Sequence, residues 1–142
     1  MQLTGKNIVA TRISGESKST FHAENPATGD KMEPAFFEAS KRETEEAIEK
    51  ANIAFQEYRN KTGKEKADFL ELIAAEILAA GDELIARCME ETGLPEARLT
   101  GERGRTVNQL KLFAQLLREG SWVNARIDQA ETDRKPLPKP DV

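Results

Sequence analysis

The patterning of the chain changes at Ser40-Lys41-Arg42-Glu43-Thr44-Glu45-Glu46-Ala47-Ile48, where a β-type period of two gives way to the 3.6-residue period of a helix. Ser40 and Glu43 match a capping box, in which the serine hydroxyl and the glutamate carboxylate each bind a backbone N–H of the first turn. Apolar residues then recur at the spacing of one helix face: Ala47, Ile48, Ala51, Phe55 and Tyr58. We therefore predict a helix that begins after Ser40 and ends before Asn60-Lys61-Thr62-Gly63.

A second helix is predicted directly after that break. Thr62 and Glu65 repeat the capping-box pattern, and Gly81 fits the first residue beyond the helix, where a positive φ is common. The inner face of this helix would comprise Ala67, Leu70, Ile73, Ala74, Ile77 and Leu78.

Two more helices are expected before residue 120. Asp82 can cap a short third helix, which Gly93 ends and whose inner face would carry Leu84, Ile85, Cys88 and Met89. Pro95 suits the first turn of a fourth helix, because the N–H that it lacks would have no helical partner there. This helix ends at Gly120, and its inner face would carry Leu99, Val107, Leu110, Phe113, Ala114 and Leu117.

The fourth helix also contains a stripe of small residues, Ala97, Gly101 and Gly104. A glycine inside a helix costs ~1 kcal/mol relative to alanine. We interpret the stripe as a place where another backbone approaches closely.

The residues before Ser40 are predicted to be short extended pieces joined by turns. Residues 7–12 read as a strand, Ser14-Gly15-Glu16 as a turn, and residues 20–24 as a strand that pairs back on the first to form a hairpin. Asn25-Pro26-Ala27-Thr28-Gly29-Asp30 is a second turn, because proline moves Asn25 out of the helical region and Gly29 allows a positive φ. A third extended segment covers residues 32–37.

After Gly120 the period returns to two, so residues 122–130 are a candidate strand. Prolines at positions 136, 138 and 140 then favour an extended or edge conformation. A lone strand with no visible partner suggests a sheet completed elsewhere. We predict a mostly α fold with a small β-hairpin region, divided into a hairpin region (1–39), a four-helix segment (40–120) and a strand with a proline-rich end (121–142).

Composition narrows the classes of function. With a formal charge of −4, the chain is not expected to bind nucleic acid or anionic membranes, and no stretch approaches the ~20 apolar residues of a membrane span. Its single cysteine, Cys88, excludes an internal disulfide and fits a reducing cytoplasm. One histidine and one cysteine cannot make a common zinc site, so no metal site is expected.

The candidate catalytic residues of the sequence are a cysteine, a histidine and a pair of neighbouring glutamates. Cys88 continues an apolar helix face, so we predict a buried structural cysteine and not an exposed, activated thiol. His22 has no recognisable nucleophile near it and is expected to be exposed or hydrogen-bonded. Glu90 and Glu91 point about 100° apart on a helix and do not form a carboxylate pair. One of them is expected to bind a partner on another helix or outside the chain, because Glu is unfavourable at a helix C-terminus.

The run Gly101-Glu102-Arg103-Gly104-Arg105 has the composition of a phosphate loop but neither its spacing nor a preceding strand. We interpret Arg103, Arg105 and Lys111 as parts of a solvated helix face interleaved with acidic residues. Trp122 could anchor an interface or belong to the core.

Three segments, in this order, resemble the N-terminal part of the aldehyde dehydrogenase superfamily. They are Asn25-Pro26-Ala27-Thr28-Gly29-Asp30, the alanine-rich helix over residues 45–55 with its aromatic pair Phe55 and Tyr58, and Glu90-Glu91-Thr92-Gly93-Leu94-Pro95. Within the superfamily, residues 100–106 and the tail are most similar to α-ketoglutaric semialdehyde (2,5-dioxopentanoate) dehydrogenases.

The resemblance implies a longer α/β parent with a Rossmann-like cofactor domain, a catalytic domain and an oligomerisation arm. That parent would be a cytoplasmic homo-oligomer that oxidises a semialdehyde with NAD or NADP. The family's cysteine nucleophile, glutamate base, oxyanion asparagine and cofactor-binding lysine lie downstream of the segment that this chain matches. We therefore expect no catalytic, cofactor-binding or metal-binding residue here. The chain would be an inactive scaffold segment of an incomplete Rossmann-like domain, with the absent domains as its partners.

A second hypothesis comes from a different class. The amphipathic helices could form a free-standing interaction module, since their apolar faces would bind a partner or pair with a second copy if nothing in the chain covers them.

Overall fold

The computed structural model describes residues 3–125 and 130–139. Within them, four short strands precede four helices: β1 (Asn7–Val9), β2 (Arg12–Ser14), β3 (Thr20–Glu24), β4 (Lys31–Phe37), α1 (Lys41–Tyr58), α2 (Gly63–Ala79), α3 (Gly81–Thr92) and α4 (Glu96–Glu119). A 3₁₀ turn follows at Ser121–Val123. The predicted fold class, mostly α with a small β region, is confirmed.

The predicted pairing of the first strands is wrong. Residues 7–12 do not form one strand; β1 and β2 make their own antiparallel hairpin, which turns at Ala10 with a φ of 53°. Ser14, expected in a turn, ends β2 and is buried. Local β-propensity could not reveal this, because the turn depends on a left-handed alanine and on burial of Ser14 against a later helix.

β3 pairs with β4 instead, antiparallel, with Thr20 opposite Phe37 and Glu24 opposite Lys31. The two strands are joined by the predicted turn after Glu24, which is confirmed. Asn25 closes this turn: its backbone N–H donates to the Asp30 carbonyl at 2.9 Å and its side-chain oxygen accepts from Ala27 N at 2.9 Å.

Both predicted capping boxes are present. The Ser40 hydroxyl accepts from Glu43 N at 3.2 Å, while the Glu43 carboxylate accepts from Ser40 N at 2.8 Å. Thr62 and Glu65 repeat the arrangement at α2 with distances of 3.2 and 2.8 Å. The starts of α1 and α2 are therefore fixed by local chemistry.

The other helix ends agree with the sequence except at two positions. Gly81, Gly93 and Gly120 all have a positive φ just beyond a helix, as predicted. Asp82 does not cap α3: Ala80 both ends α2 and precedes α3, and its helical φ and ψ leave no extended residue to act as a side-chain cap. Pro95 is the N-cap of α4, one residue before its first turn.

The core lies between α2 and α4, which run antiparallel. Its buried residues are mostly small: Ala67 and Ala74 on α2, Val107 and Ala114 on α4. At one end of the pair, a Cβ on Gly63 would lie 2.6 Å from the Leu117 carbonyl oxygen. At the other end, the Arg103 guanidinium donates to the Gly81 carbonyl at 2.9 Å. Small residues thus allow the two helices to approach closely.

The C-terminal strand prediction is wrong where the structure describes it. Ser121–Val123 forms a 3₁₀ turn and Asn124 has a φ of 52°, which is left-handed and not extended. Alternating side chains become a strand only beside another strand, and no described strand runs next to this segment. Residues 126–129 of the predicted strand lie outside the described residues. Further on, Glu131 and Lys139 form an isolated antiparallel bridge.

Candidate functional site

Cys88 is half-buried and not fully buried. It lines a cavity of about 300 Å³ between α3 and α4, together with Leu84, Ile85 and Leu99. The neighbours of the thiol are therefore largely apolar, as the helix pattern indicated.

His22 is hydrogen-bonded within the small sheet. Its Nδ1 atom lies 3.1 Å from the Met32 carbonyl oxygen and 3.8 Å from a carboxylate oxygen of Glu33. The expectation of a hydrogen-bonded histidine is confirmed.

Glu91 has a partner on its own helix; a partner of Glu90 or Glu91 on another helix or outside the chain stays a prediction. Arg87, one turn earlier, donates from Nε to the Glu91 carboxylate at 2.6 Å and from Nη1 to the Glu33 carbonyl at 2.5 Å. Arg87 thereby joins α3 to β4. Spacing of i and i+4 could have identified the Arg87–Glu91 pair, but the contact with Glu33 depends on the tertiary fold.

The predicted solvated basic face of α4 is correct only in part. Arg105 is exposed, and Arg98 pairs with Glu102 at 2.9 Å along the helix surface. Arg103 is half-buried because its guanidinium binds the C-terminal end of α2 at Gly81. A cation at that position also interacts favourably with the helix dipole of α2.

The small-residue stripe on α4 has no described backbone against it. A Cβ on Gly101 or Gly104 would meet no described atom within 4 Å, and Ala97 is exposed. The stripe is accessible along this side of α4.

A polar cluster at the start of α1 was not recognised from the sequence. Glu43 is only 1% exposed, and the Ser14 hydroxyl and the Ser40 backbone N–H lower its pKa from 4.5 to about 2. Next to it, Arg12 donates to Ser14 at 2.9 Å and to Glu46 at 2.6 Å. The capping box identified Glu43, but no local pattern predicted that β2 would cover it. The cluster fixes the β1–β2 hairpin to α1.

An apolar groove of about 740 Å³ runs along α4. Its apolar lining comprises Leu70, Leu110, Phe113, Leu116, Leu117 and Trp122. Trp122 is 59% exposed, so it is not a core residue of this chain. Phe113, predicted to face inward, is 49% exposed. We call this surface the α4 groove.

A second apolar surface lies where α1 meets α2. Tyr58 and Phe69 pack edge to face with ring centroids 6.0 Å apart, and both remain exposed. The predicted inner face of α1 is uncovered along the rest of the helix as well: Ile48 and Phe55 are 65% and 53% exposed. We call these residues, with Leu72, the α1–α2 surface.

The accessible area agrees with these open faces. The chain exposes 11,069 Å², whereas the scaling for compact monomers gives roughly 7,300 Å² at 15.8 kDa.

The described side chains contain no group of three or more His, Cys, Asp or Glu that could hold a metal ion. None of the described helices combines the length and apolar content needed to cross a bilayer. The structure therefore offers uncovered packing faces as its main candidate site.

The chain is similar in sequence to several known proteins. Residues 13–137 match the aldehyde dehydrogenase family. The α-ketoglutaric semialdehyde dehydrogenase 2 of Azospirillum brasilense is 46% identical over 143 residues, which cover 100% of this chain and 27% of that protein. The α-ketoglutaric semialdehyde dehydrogenase of Acinetobacter baylyi is 46% identical over 107 residues, covering 75% of this chain and 20% of that protein.

A more distant relative is the 3-sulfolactaldehyde dehydrogenase of Pseudomonas putida, 33% identical over 103 residues, which cover 72% of this chain and 21% of that protein. The chain thus spans about a quarter or less of the length of these relatives. The resemblance that three short segments indicated is confirmed, including the similarity to α-ketoglutaric semialdehyde dehydrogenases. With the family match over most of its length, the chain belongs to the aldehyde dehydrogenase family.

Proposed function

We propose that this chain is the N-terminal scaffold segment of an NAD(P)-dependent aldehyde dehydrogenase whose complete form oxidises 2,5-dioxopentanoate to the carboxylic acid. One observation carries the proposal. The whole chain aligns at 46% identity with a protein named α-ketoglutaric semialdehyde dehydrogenase, yet covers only 27% of it. Substrate recognition and catalysis would then reside in the part of such an enzyme that this chain does not match.

The described residues do not fit a dinucleotide site. Such a site needs a glycine-rich turn between a strand and a helix, so that free backbone N–H groups can bind the pyrophosphate. Gly101 and Gly104 lie inside α4, beyond its first turn, where helical hydrogen bonds already use those groups. We therefore assign the binding of NAD or NADP to the part of such an enzyme that this chain does not match.

The large accessible surface area of the chain supports packing against a large partner. The exposed area exceeds that of a compact monomer by roughly 3,800 Å². Obligate interfaces hide about 1,000–2,500 Å² or more on each chain. Cofactor and catalytic domains that pack on both the α4 groove and the α1–α2 surface would hide an area of that order.

In the complete enzyme, the helices over residues 40–120 would pack on the cofactor domain. Residues 121–142 would contribute to the arm through which a cytoplasmic homo-oligomer assembles, and residues 1–39 would be a hairpin region held to α1 by the Glu43 cluster. These divisions follow the family resemblance.

An activity assay tests whether catalysis resides outside this chain. The purified chain is mixed with 2,5-dioxopentanoate and either NAD or NADP, and the absorbance of the reduced cofactor is followed. We expect no turnover above that of a Cys88→Ala variant. Turnover that depends on Cys88 would refute the assignment of catalysis to the part of the enzyme that this chain does not match.

A chimera tests the scaffold role. This chain replaces the aligned residues of the Azospirillum brasilense relative, and the product is assayed with the same substrate. An active chimera is the expected result, because a scaffold with the right faces should support the catalytic domains of its relative. A soluble, folded but inactive chimera would contradict the scaffold role.

The alternative function is a free-standing helical interaction module. It is favoured by the packing of α2 against α4, because each of these helices covers a face of the other within the chain. Light scattering and thermal unfolding distinguish the two. A soluble monomer that unfolds cooperatively supports the module, whereas self-association through the uncovered faces supports the scaffold segment.

A further inference from the structure

We draw no further inference here: the strongest candidate, the apolar α4 groove between α2 and Trp122, belongs to the surface that the proposed function already assigns to the rest of an aldehyde dehydrogenase, and no described residue shows what else would cover it.

Discussion

Glu43 illustrates how a single residue acts at two levels. Its carboxylate completes the capping box of α1, and the same side chain is almost wholly buried where the β1–β2 hairpin contacts the start of that helix. A charged group in such a place is stable only while polar neighbours bind it. Ser14 and Ser40 provide those neighbours and lower the pKa of Glu43 to about 2.

This pKa predicts an acid-dependent loss of stability. Since the folded-state pKa lies below the ordinary value of 4.5, the ionised carboxylate stabilises the fold above about pH 4.5, and that contribution is lost as the pH falls towards 2. Glu43→Gln mimics the protonated acid at every pH. In urea titrations, the native chain should be more stable than Glu43→Gln at pH 7, and the difference should shrink between pH 4.5 and 2. A difference that stays constant with pH would contradict this account.

Two glycines allow a matched test of helix packing. Gly63 lies against the Leu117 carbonyl, where a Cβ would approach to 2.6 Å, whereas a Cβ on Gly104 would meet no described atom within 4 Å. Gly63→Ala should destabilise the chain by about 1–3 kcal/mol through overpacking. Gly104→Ala should stabilise it by up to ~1 kcal/mol, because alanine is the better helix former. Chemical denaturation measures both, and equal effects of the two variants would show that the close α2–α4 approach is wrong.

At the scale of elements, the sequence predicted helices better than strands, for a physical reason. Ser40, Thr62 and the glycines after α2, α3 and α4 act within one turn of their own position, so these five helix ends are determined by nearby residues. Strand pairing is a non-local choice. The turn at Ala10 and the pairing of β3 with β4 depend on contacts that no short pattern contains.

The sequence predicted the residues buried between α2 and α4 correctly, but it did not predict that the α1 face is exposed. The difference depends on whether the packing partner lies within the chain. Ala67, Ala74, Val107 and Ala114 are buried as expected because α2 and α4 supply each other's partner. The α1 face of Ile48, Phe55 and Tyr58 shows clear helical spacing, yet it is exposed. A periodic pattern identifies a face that packs against something, and it does not identify whether the partner is in the same chain.

Removal of one helix cap gives a prediction at this scale. Thr62→Ala deletes the hydroxyl that accepts from Glu65 N at 3.2 Å, so α2 should lose about 1 kcal/mol of stability. The loss should be seen as a lower unfolding midpoint with an unchanged denaturant slope. Thr106→Ala, a change at an exposed threonine inside α4 and away from any cap, is the control and should have a much smaller effect.

At the scale of the whole molecule, a small hairpin region is held to α1 by the polar contacts of Glu43 and Arg12. It is joined to a helical layer that has packing surfaces on more than one side. α2 illustrates this best, because one of its sides packs on α4 while Phe69 and Leu72 on another side are exposed. Burying a large apolar side chain stabilises a fold by roughly 1.5–3 kcal/mol. Several such side chains left in water therefore favour association with a polypeptide that can cover them.

The α4 groove gives the sharpest test of that view. Phe113→Glu with Leu116→Glu places two charges on exposed groove residues, so in the isolated chain it should change stability little and reduce self-association. In the chimera with the Azospirillum brasilense relative, the same charges would be buried without partners, which costs several kcal/mol and should abolish soluble, active enzyme. Asn108→Glu, an exposed α4 position outside the groove, is the matched control and should leave the chimera active. If the double variant were as active in the chimera as Asn108→Glu, the groove would not be a packing surface of the enzyme, and the excess exposed area would need another explanation.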